Sequence, residues 1–355
     1  MSIKSRTFAF LNATLKKFKL RLVRLSYNES KFDGEYTIDV RYIEPSFSKS
    51  RLPQLFENIL NESNSDLINL KLKYKDFNYP VTQHSFWSDK TLKSKEFDIR
   101  FFRGDNVFLW QYRSVFDNAY LKYILYTYYI INIDSMRLLD KLKEDELFGV
   151  YCFDVNGKYK VSRDLLDSIS EIYFLEKYFK MSEKHKLNIL DIGAGYGRLA
   201  YRFTQTFEEN IEGYYCVDAV AESTYLCEFY LKFRGVEKKA RSIPIFEIES
   251  FLKSNKIDIA INIHSFSECT LSAIKWWLDL LSMNKIKYLM IVPNPGVENK
   301  LLSTEQDGNS LDFSLYLETS GYKLRVLEPK FLDSSLQELI HHHPVYYYLF
   351  ELVDK

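Results

Sequence analysis

An apolar run that stops at an acidic residue and is followed by glycine at every second position leaves a chain few ways to fold. Residues 187–203 read LNILDIGAGYGRLAYRF: the run ends at Asp191, glycines stand at Gly193, Gly195 and Gly197, and an amphipathic stretch begins at Arg198. The pattern predicts strand, tight turn and helix. Glycine serves where φ is positive, or where a Cβ would hold the backbone away from a ligand, and the start of the helix offers unpaired N–H groups. The spacing also separates ligand classes. A dinucleotide fingerprint is G-x-G-x-x-G with a helix dipole aimed at a pyrophosphate. Here the third glycine comes one residue early, and Asp191 would repel a pyrophosphate but accept from an amino group. A glycine-rich turn can also be a mere connector, so the downstream residues decide.

Beyond the loop, strand and helix patterns alternate as in a parallel sheet with helices on both faces. YYCVDAV ends a second strand at Asp218, 21 residues after Gly197. A carboxylate there can accept from both ribose hydroxyls of a nucleoside, or cap the helix that follows over 222–235. KARSIP is a short third strand, and the loop after it, Ile243 to Phe246, falls beside the base. IDIAINIHSFSECT (257–270) is the fourth strand and its exit. Ligands of open α/β sheets bind outside the carboxyl ends of the strands, which directs His264, Ser265, Glu268 and Asn262 toward a reaction zone. A helix follows over LSAIKWWLDLLS; KIKYLMIVPNPG ends the fifth strand at Pro293, with Asn294 in a loop at the same edge. A last helix near 310–320 precedes GYKLRVLEPKF and HHHPVYYYLFELV, an antiparallel pair. Upstream, 161–179 predicts a helix starting at Ser162 or Arg163, with Leu165, Leu166, Ile169, Ile172 and Tyr173 on one side and Asp164, Asp167 and Glu171 on the other. Such a helix would cover the sheet. His341, His342 and His343 alternate faces in extended chain, so at most two could share an ion, and a loop before an edge strand accounts for them better.

The 355 residues allow one large or two ordinary domains. The 48 basic residues equal the 48 acidic ones, which argues against a general nucleic-acid binder. Cys152, Cys216, Cys227 and Cys269 show no paired spacing and fit reduced thiols in a cytoplasmic protein. No apolar core of a signal peptide follows the early basic residues, and the most apolar run, 120–133, is too short to span a bilayer and contains Lys122. It predicts a buried helix or strand. Residues 1–27 carry seven basic and no acidic side chains, a basic amphipathic helix that packs on its own domain or makes peripheral contact with an anionic membrane. In 86–113, Trp87, Arg103, Asp105, Asn106, Trp110 and Gln111 crowd around Gly104. Aromatic faces beside planar hydrogen-bonding groups suit a sugar, and equally an ordinary core.

Taken together, LDIGAGYGRLAYRF, VDAVAESTYLCEFYLKFRGV, INIHSFSECT, WW, IVPN and the upstream SRDLLDSISEI resemble the bacterial sugar O-methyltransferases, with weaker matches in FRGDN and WQYR. The glycine loop is similar to motif I of class I S-adenosylmethionine-dependent methyltransferases. The resemblance implies an α/β fold: a Rossmann-like seven-stranded methyltransferase sheet in residues 161–355, behind a mixed, mainly helical, aromatic-rich substrate or cap region in 1–160. It implies S-adenosylmethionine as donor, held by Asp191, Gly193, Gly195, Gly197, Asp218 and Ala219, and a sugar or glycan hydroxyl as acceptor, in surface polysaccharide biosynthesis. His264, at a strand end and with an imidazole that titrates near neutral pH, is the expected general base; Glu268 could act instead or orient the ring. A divalent ion is the mechanistic alternative, with Asp218, Glu268 and Asn294 converging at the sheet edge. The functional alternatives are a methyltransferase on a non-sugar acceptor and a non-catalytic nucleoside-binding regulator.

Overall fold

A computed structural model of the chain describes residues 40–43, 56–82, 87, 98–104, 119–183, 186–295, 300–341 and 344–353. In chain order its elements are β1 (Val40–Ile43), α1 (Ser65–Asp76), α2 (Ala119–Ile133), α3 (Leu138–Lys141), β2 (Cys152–Val155), β3 (Tyr159–Val161), α4 (Arg163–Phe179), β4 (Leu187–Ile192), α5 (Arg198–Phe207), β5 (Ile211–Asp218), α6 (Ala221–Phe233), β6 (Ala240–Pro244), α7 (Ile248–Ser254), β7 (Ile259–Ile263), α8 (Leu271–Met283), β8 (Tyr288–Val292), α9 (Ser314–Thr319), β9 (Tyr322–Pro329), α10 (Ser334–His341) and β10 (Tyr346–Leu352). The basic segment 1–27 lies outside the described residues, as do Asp105, Asn106, Trp110 and Gln111.

The main sheet has seven strands in the order β6-β5-β4-β7-β8-β10-β9. β4 to β8 are mutually parallel, and β10 runs antiparallel to both of its neighbours. This is the expected α/β sheet, with two helices the sequence reading passed over: α7, between β6 and β7, and α10, between β9 and β10. Strand side chains alternate between two cores, as a period of two dictates. Ile189, Tyr214, Ile259 and Ile261 join α4, α5 and α2 on one face. Leu190, Tyr215, Ala260 and Leu289 join α7, α8 and α9 on the other. The run at 120–133 is the buried helix α2, and no helix among the described residues is long and apolar enough to cross a membrane.

A second sheet, β1-β2-β3, precedes α4. Its β2–β3 hairpin turns at Asn156 and Gly157, both at positive φ, and Asp154 Oδ1 accepts from the Gly157 N–H at 2.6 Å. Ser162 caps α4, its hydroxyl accepting from the Leu165 N–H at 3.0 Å.

The charged side of α4 does not face water. Asp164, Asp167 and Glu171 are as buried as the apolar stripe opposite them. Glu171 takes both guanidinium nitrogens of Arg198, at 2.7 and 3.0 Å. Asp164 meets Arg202 at 3.0 Å and Arg103 at 2.8 Å, and Glu144 reaches the same two arginines at 3.0 and 2.7 Å. Asp167 holds Lys330 at 2.5 Å. A buried charge persists only when paired, and here the pairs clamp α4 to the helix that follows the glycine loop. Burial lowers the stability of every one of these ions, yet the arginines around Asp164 still hold its carboxyl well below the usual range.

Candidate active site

The chain runs outward from β4 through β5 to β6 and then returns to β7, so β4 and β7 diverge at their carboxyl ends. A crevice at such a reversal is where open α/β sheets place ligands. The glycine loop opens directly into it. Gly193 has φ +74°, and a Cβ there would lie 2.2 Å from Ser265 Oγ. Only glycine permits both that backbone and that approach to the β7 exit. Gly197, at φ +84°, begins α5, and a Cβ there would crowd Cys227 Sγ at 2.9 Å. Between them Tyr196 turns inward: its hydroxyl donates to Asp164 Oδ2 at 2.5 Å, and its ring meets Phe102 and Tyr230 edge-on. The loop is thereby anchored from behind.

Asp218 stands at the end of β5, beside the crevice. Its Oδ2 accepts from the Gly195 N–H at 3.0 Å and its Oδ1 from the Val220 N–H at 2.8 Å. Each oxygen keeps a further lone-pair site. Burial pushes this carboxyl up to about 7 against those two N–H donors, and Glu268 adds to the rise. The helix-cap alternative for Asp218 is met only in part, by the Val220 bond. Ala219 follows it, partly buried. Asp191 is deeper, on the α4–α5 face of the sheet, where Tyr214 Oη donates to its Oδ2 at 2.9 Å. Burial raises it too to about 7, opposed by Tyr214 and Arg198.

The β7 exit carries the chemistry-bearing residues. His264 holds a positive φ of +67°, uncommon outside glycine and a recognised sign of a strained functional position. Its N–H donates to the Val292 carbonyl at 2.7 Å, and Nδ1 lies 3.2 Å from the Pro293 carbonyl oxygen. A carbonyl can only accept, so Nδ1 carries the hydrogen and Nε2 the lone pair. The orienting partner is this carbonyl and not Glu268. The ring's basicity departs from expectation: burial, reinforced by Lys330 and Arg163, lowers it to about 3. Glu268 moves the other way. Burial raises its carboxyl, while Trp87 Nε1–H donates to Oε2 at 2.6 Å and Asn294 Nδ2 to Oε1 at 3.3 Å.

Other expected residues have structural tasks. Asn262 is wholly buried: its amide donates to the Ile192 carbonyl at 3.0 Å and to Ser265 Oγ at 2.6 Å, and its Oδ1 accepts from the Phe266 N–H at 3.0 Å. It ties β4 to the β7 exit and points at no ligand. Arg103 is not a sugar contact. Its guanidinium is wholly buried and paired with Glu144, Asp145 and Asp164, while a Cβ at Gly104 would overlap the Gly149 backbone. Trp87, from the same stretch, does reach the crevice. Asn294 joins Glu268, but Asp218 is engaged with backbone instead, and no group of three or more His, Cys, Asp or Glu among the described residues could hold a metal ion. His341 ends α10, and His342 and His343 lie outside the described residues.

One residue escaped the sequence reading altogether. Tyr74, in α1, sends its hydroxyl between the ends of β5 and β6, and its ring meets Phe246 edge-on at 5.8 Å. An isolated Tyr in a charged helix gives no signal of such a role.

No family model and no curated protein matches the chain. Solved structures resemble part of it. An S-adenosylmethionine-dependent methyltransferase from Aquifex aeolicus matches at 16% identity and a TM-score of 0.39, over 52% of this chain and 90% of that one. One from Clostridium acetobutylicum matches at 12% and 0.38, over 53% and 92%. TrmK of M. capricolum, solved with S-adenosylhomocysteine, matches at 15% and 0.34, over 51% and 67%. The strand order and the single reversed strand, taken on their own, are those of the Rossmann-like seven-stranded sheet that the sequence leads one to expect.

Proposed function

We propose that the chain is an S-adenosylmethionine-dependent O-methyltransferase whose acceptor is a sugar hydroxyl. The observation that carries the cofactor is Asp218: a partly buried carboxylate beside the glycine loop, oriented by the Gly195 and Val220 N–H groups with lone-pair sites left to accept ribose hydroxyls. Gly193, Gly195 and Gly197 keep the loop close, Ala219 lies next to the ribose position, and Asp191 supplies negative charge behind the loop for the methionyl amino group. A dinucleotide fits worse, because its pyrophosphate would meet the Asp191 carboxylate behind the loop. When bound, the cofactor supplies a methyl carbon activated by a sulfonium.

The chain's own groups then align the acceptor and take its proton. The acceptor hydroxyl would have to give up its proton to the protein as it takes the methyl group, the cofactor leaving as a neutral thioether. Glu268 receives the proton, since its raised carboxyl holds one far better than an imidazole lowered to about 3. His264, neutral and with Nε2 unprotonated, aligns the acceptor by hydrogen bonding. An indole and an amide clasping that carboxylate are groups that suit a sugar's C–H face and hydroxyls.

Calorimetry with the purified chain tests the cofactor: S-adenosylmethionine should bind and NAD should not, and Asp218→Ala should weaken the binding. NAD preferred over S-adenosylmethionine would overturn the reading. Transfer of labelled methyl to polysaccharide precursors, set against lipid-linked glycans, small metabolites, proteins and RNA, tests the acceptor.

A further inference from the structure

The ladder between β5 and β6 ends where Asp218 faces Pro244. Proline has no N–H, so the sheet's hydrogen bonding stops there for lack of a donor. β6 is also an edge strand, and the next N–H, that of buried Ile245, has no further strand to pair with. The Tyr74 hydroxyl fills this gap. It accepts from the Ile245 N–H at 3.1 Å, donates to the Asp218 carbonyl at 3.2 Å, and lies 2.6 Å from Thr224 Oγ1 in the first turn of α6. A single phenol therefore joins the end of β5, the end of β6 and the start of α6. Its ring edge meanwhile sets the plane of Phe246.

We infer that Tyr74 is a positioning residue for the nucleoside half of the cofactor. It fixes the distance between Asp218, on the ribose, and the Ile245–Phe246 turn, beside the base. The inference rests on the cofactor reading above and deepens it: part of the nucleoside wall is set from the segment ahead of the sheet, which sequence assigns to the acceptor. Tyr74 itself touches no ligand. Its effect passes through Asp218 and Phe246.

The test is calorimetric titration of the full chain with S-adenosylmethionine and, separately, with adenosine. Tyr74→Phe keeps the ring and removes the hydroxyl, taking the acceptor from the buried Ile245 N–H and leaving the Asp218 carbonyl only the Thr224 hydroxyl at 3.4 Å, and should weaken binding roughly five- to thirty-fold. The loss should be the same factor for both ligands, because the base and ribose are common to them. Thr224→Val removes the neighbouring hydroxyl and should shift both affinities in the same direction, which keeps the inference testable if Tyr74→Phe folds poorly. Lys71→Ala breaks the 2.8 Å ion pair to Glu222 between the same two helices and should leave both affinities unchanged. A lowered melting midpoint with unchanged affinities would make Tyr74 a structural residue only and overturn the inference. Weakened S-adenosylmethionine binding with adenosine unaffected would overturn it as well. Absence of binding by the unmodified chain would overturn the cofactor reading and this inference together.

Discussion

Asp218 and Asp191 are carboxyls raised to about 7 in the folded chain, against about 3.9 for a free aspartate. Between those values the native state holds protons that the unfolded state has released, so from these two groups stability is full below the unfolded value and falls as pH rises toward 7. Ligand binding runs the opposite way. Ribose hydroxyls and a cationic amino group favour the ionised carboxylates, so affinity for S-adenosylmethionine should fall as pH drops through about 7, by up to about tenfold per unit for each group. Titration calorimetry at several pH values measures this, and Asp218→Asn should remove one of the two slopes; an affinity independent of pH would show that neither carboxyl is coupled to binding. The catalytic roles proposed for Glu268 and His264 are tested by rate. Glu268→Gln should lower kcat by about 10²- to 10⁴-fold with cofactor affinity retained. His264→Ala should also lose most turnover and keep cofactor affinity. At saturating cofactor the acid limb of the pH–rate profile should include Glu268, whose carboxyl burial raises, while His264, at about 3, contributes none near neutrality. Near-normal turnover in either variant removes that residue from the mechanism.

Helix α4 shows what helical periodicity does and does not tell. Its start at Ser162 and its apolar stripe were legible, because capping and spacing are local. The opposite face was not, because a run of carboxylates looks the same whether it meets water or arginine. Asp164 finds Arg202 38 residues later and Arg103 61 residues earlier, and neither distance has a sequence signature. The same divide runs through the site. Asp191, the three glycines and Asp218 lie on one strand–turn–helix pattern and its neighbour, and could be read off directly; the depression of His264 depends on what surrounds the ring in space. Breaking the cluster tests its contribution to folding. Arg202→Met leaves Asp164 and Glu144 buried with one cation fewer, and should cost about 3–5 kcal/mol, read as a lowered urea midpoint. A loss within about 0.5 kcal/mol, the range of surface substitutions, would mean that Arg103 and Arg198 compensate.

For the molecule as a whole, the parts before and after residue 161 are bonded to one another. Tyr74, Trp87, Arg103 and Glu144 precede it, and each bonds to a residue after it. Phe102 and Phe148 pack with Tyr196 and Tyr230 in one aromatic cluster. A fragment of residues 161–355 should therefore unfold at much lower denaturant than the full chain and bind S-adenosylmethionine weakly, as circular dichroism and calorimetry would show. A fragment that melts cooperatively and binds at full affinity would show that residues 161–355 fold and bind independently of the first 160.

The Tyr74 bridge also has a meaning in time. Its bonds to Asp218 and Ile245 span 144 and 171 residues, so on the ribosome the phenol emerges long before the strand ends it joins. Contacts of such long reach close late, after their loop entropy has been met by nearer ones. A nucleoside wall finished only at that stage is absent from the folding transition state. Bound cofactor should thus leave the rate of folding nearly unchanged and act by slowing the rate at which the finished molecule comes apart.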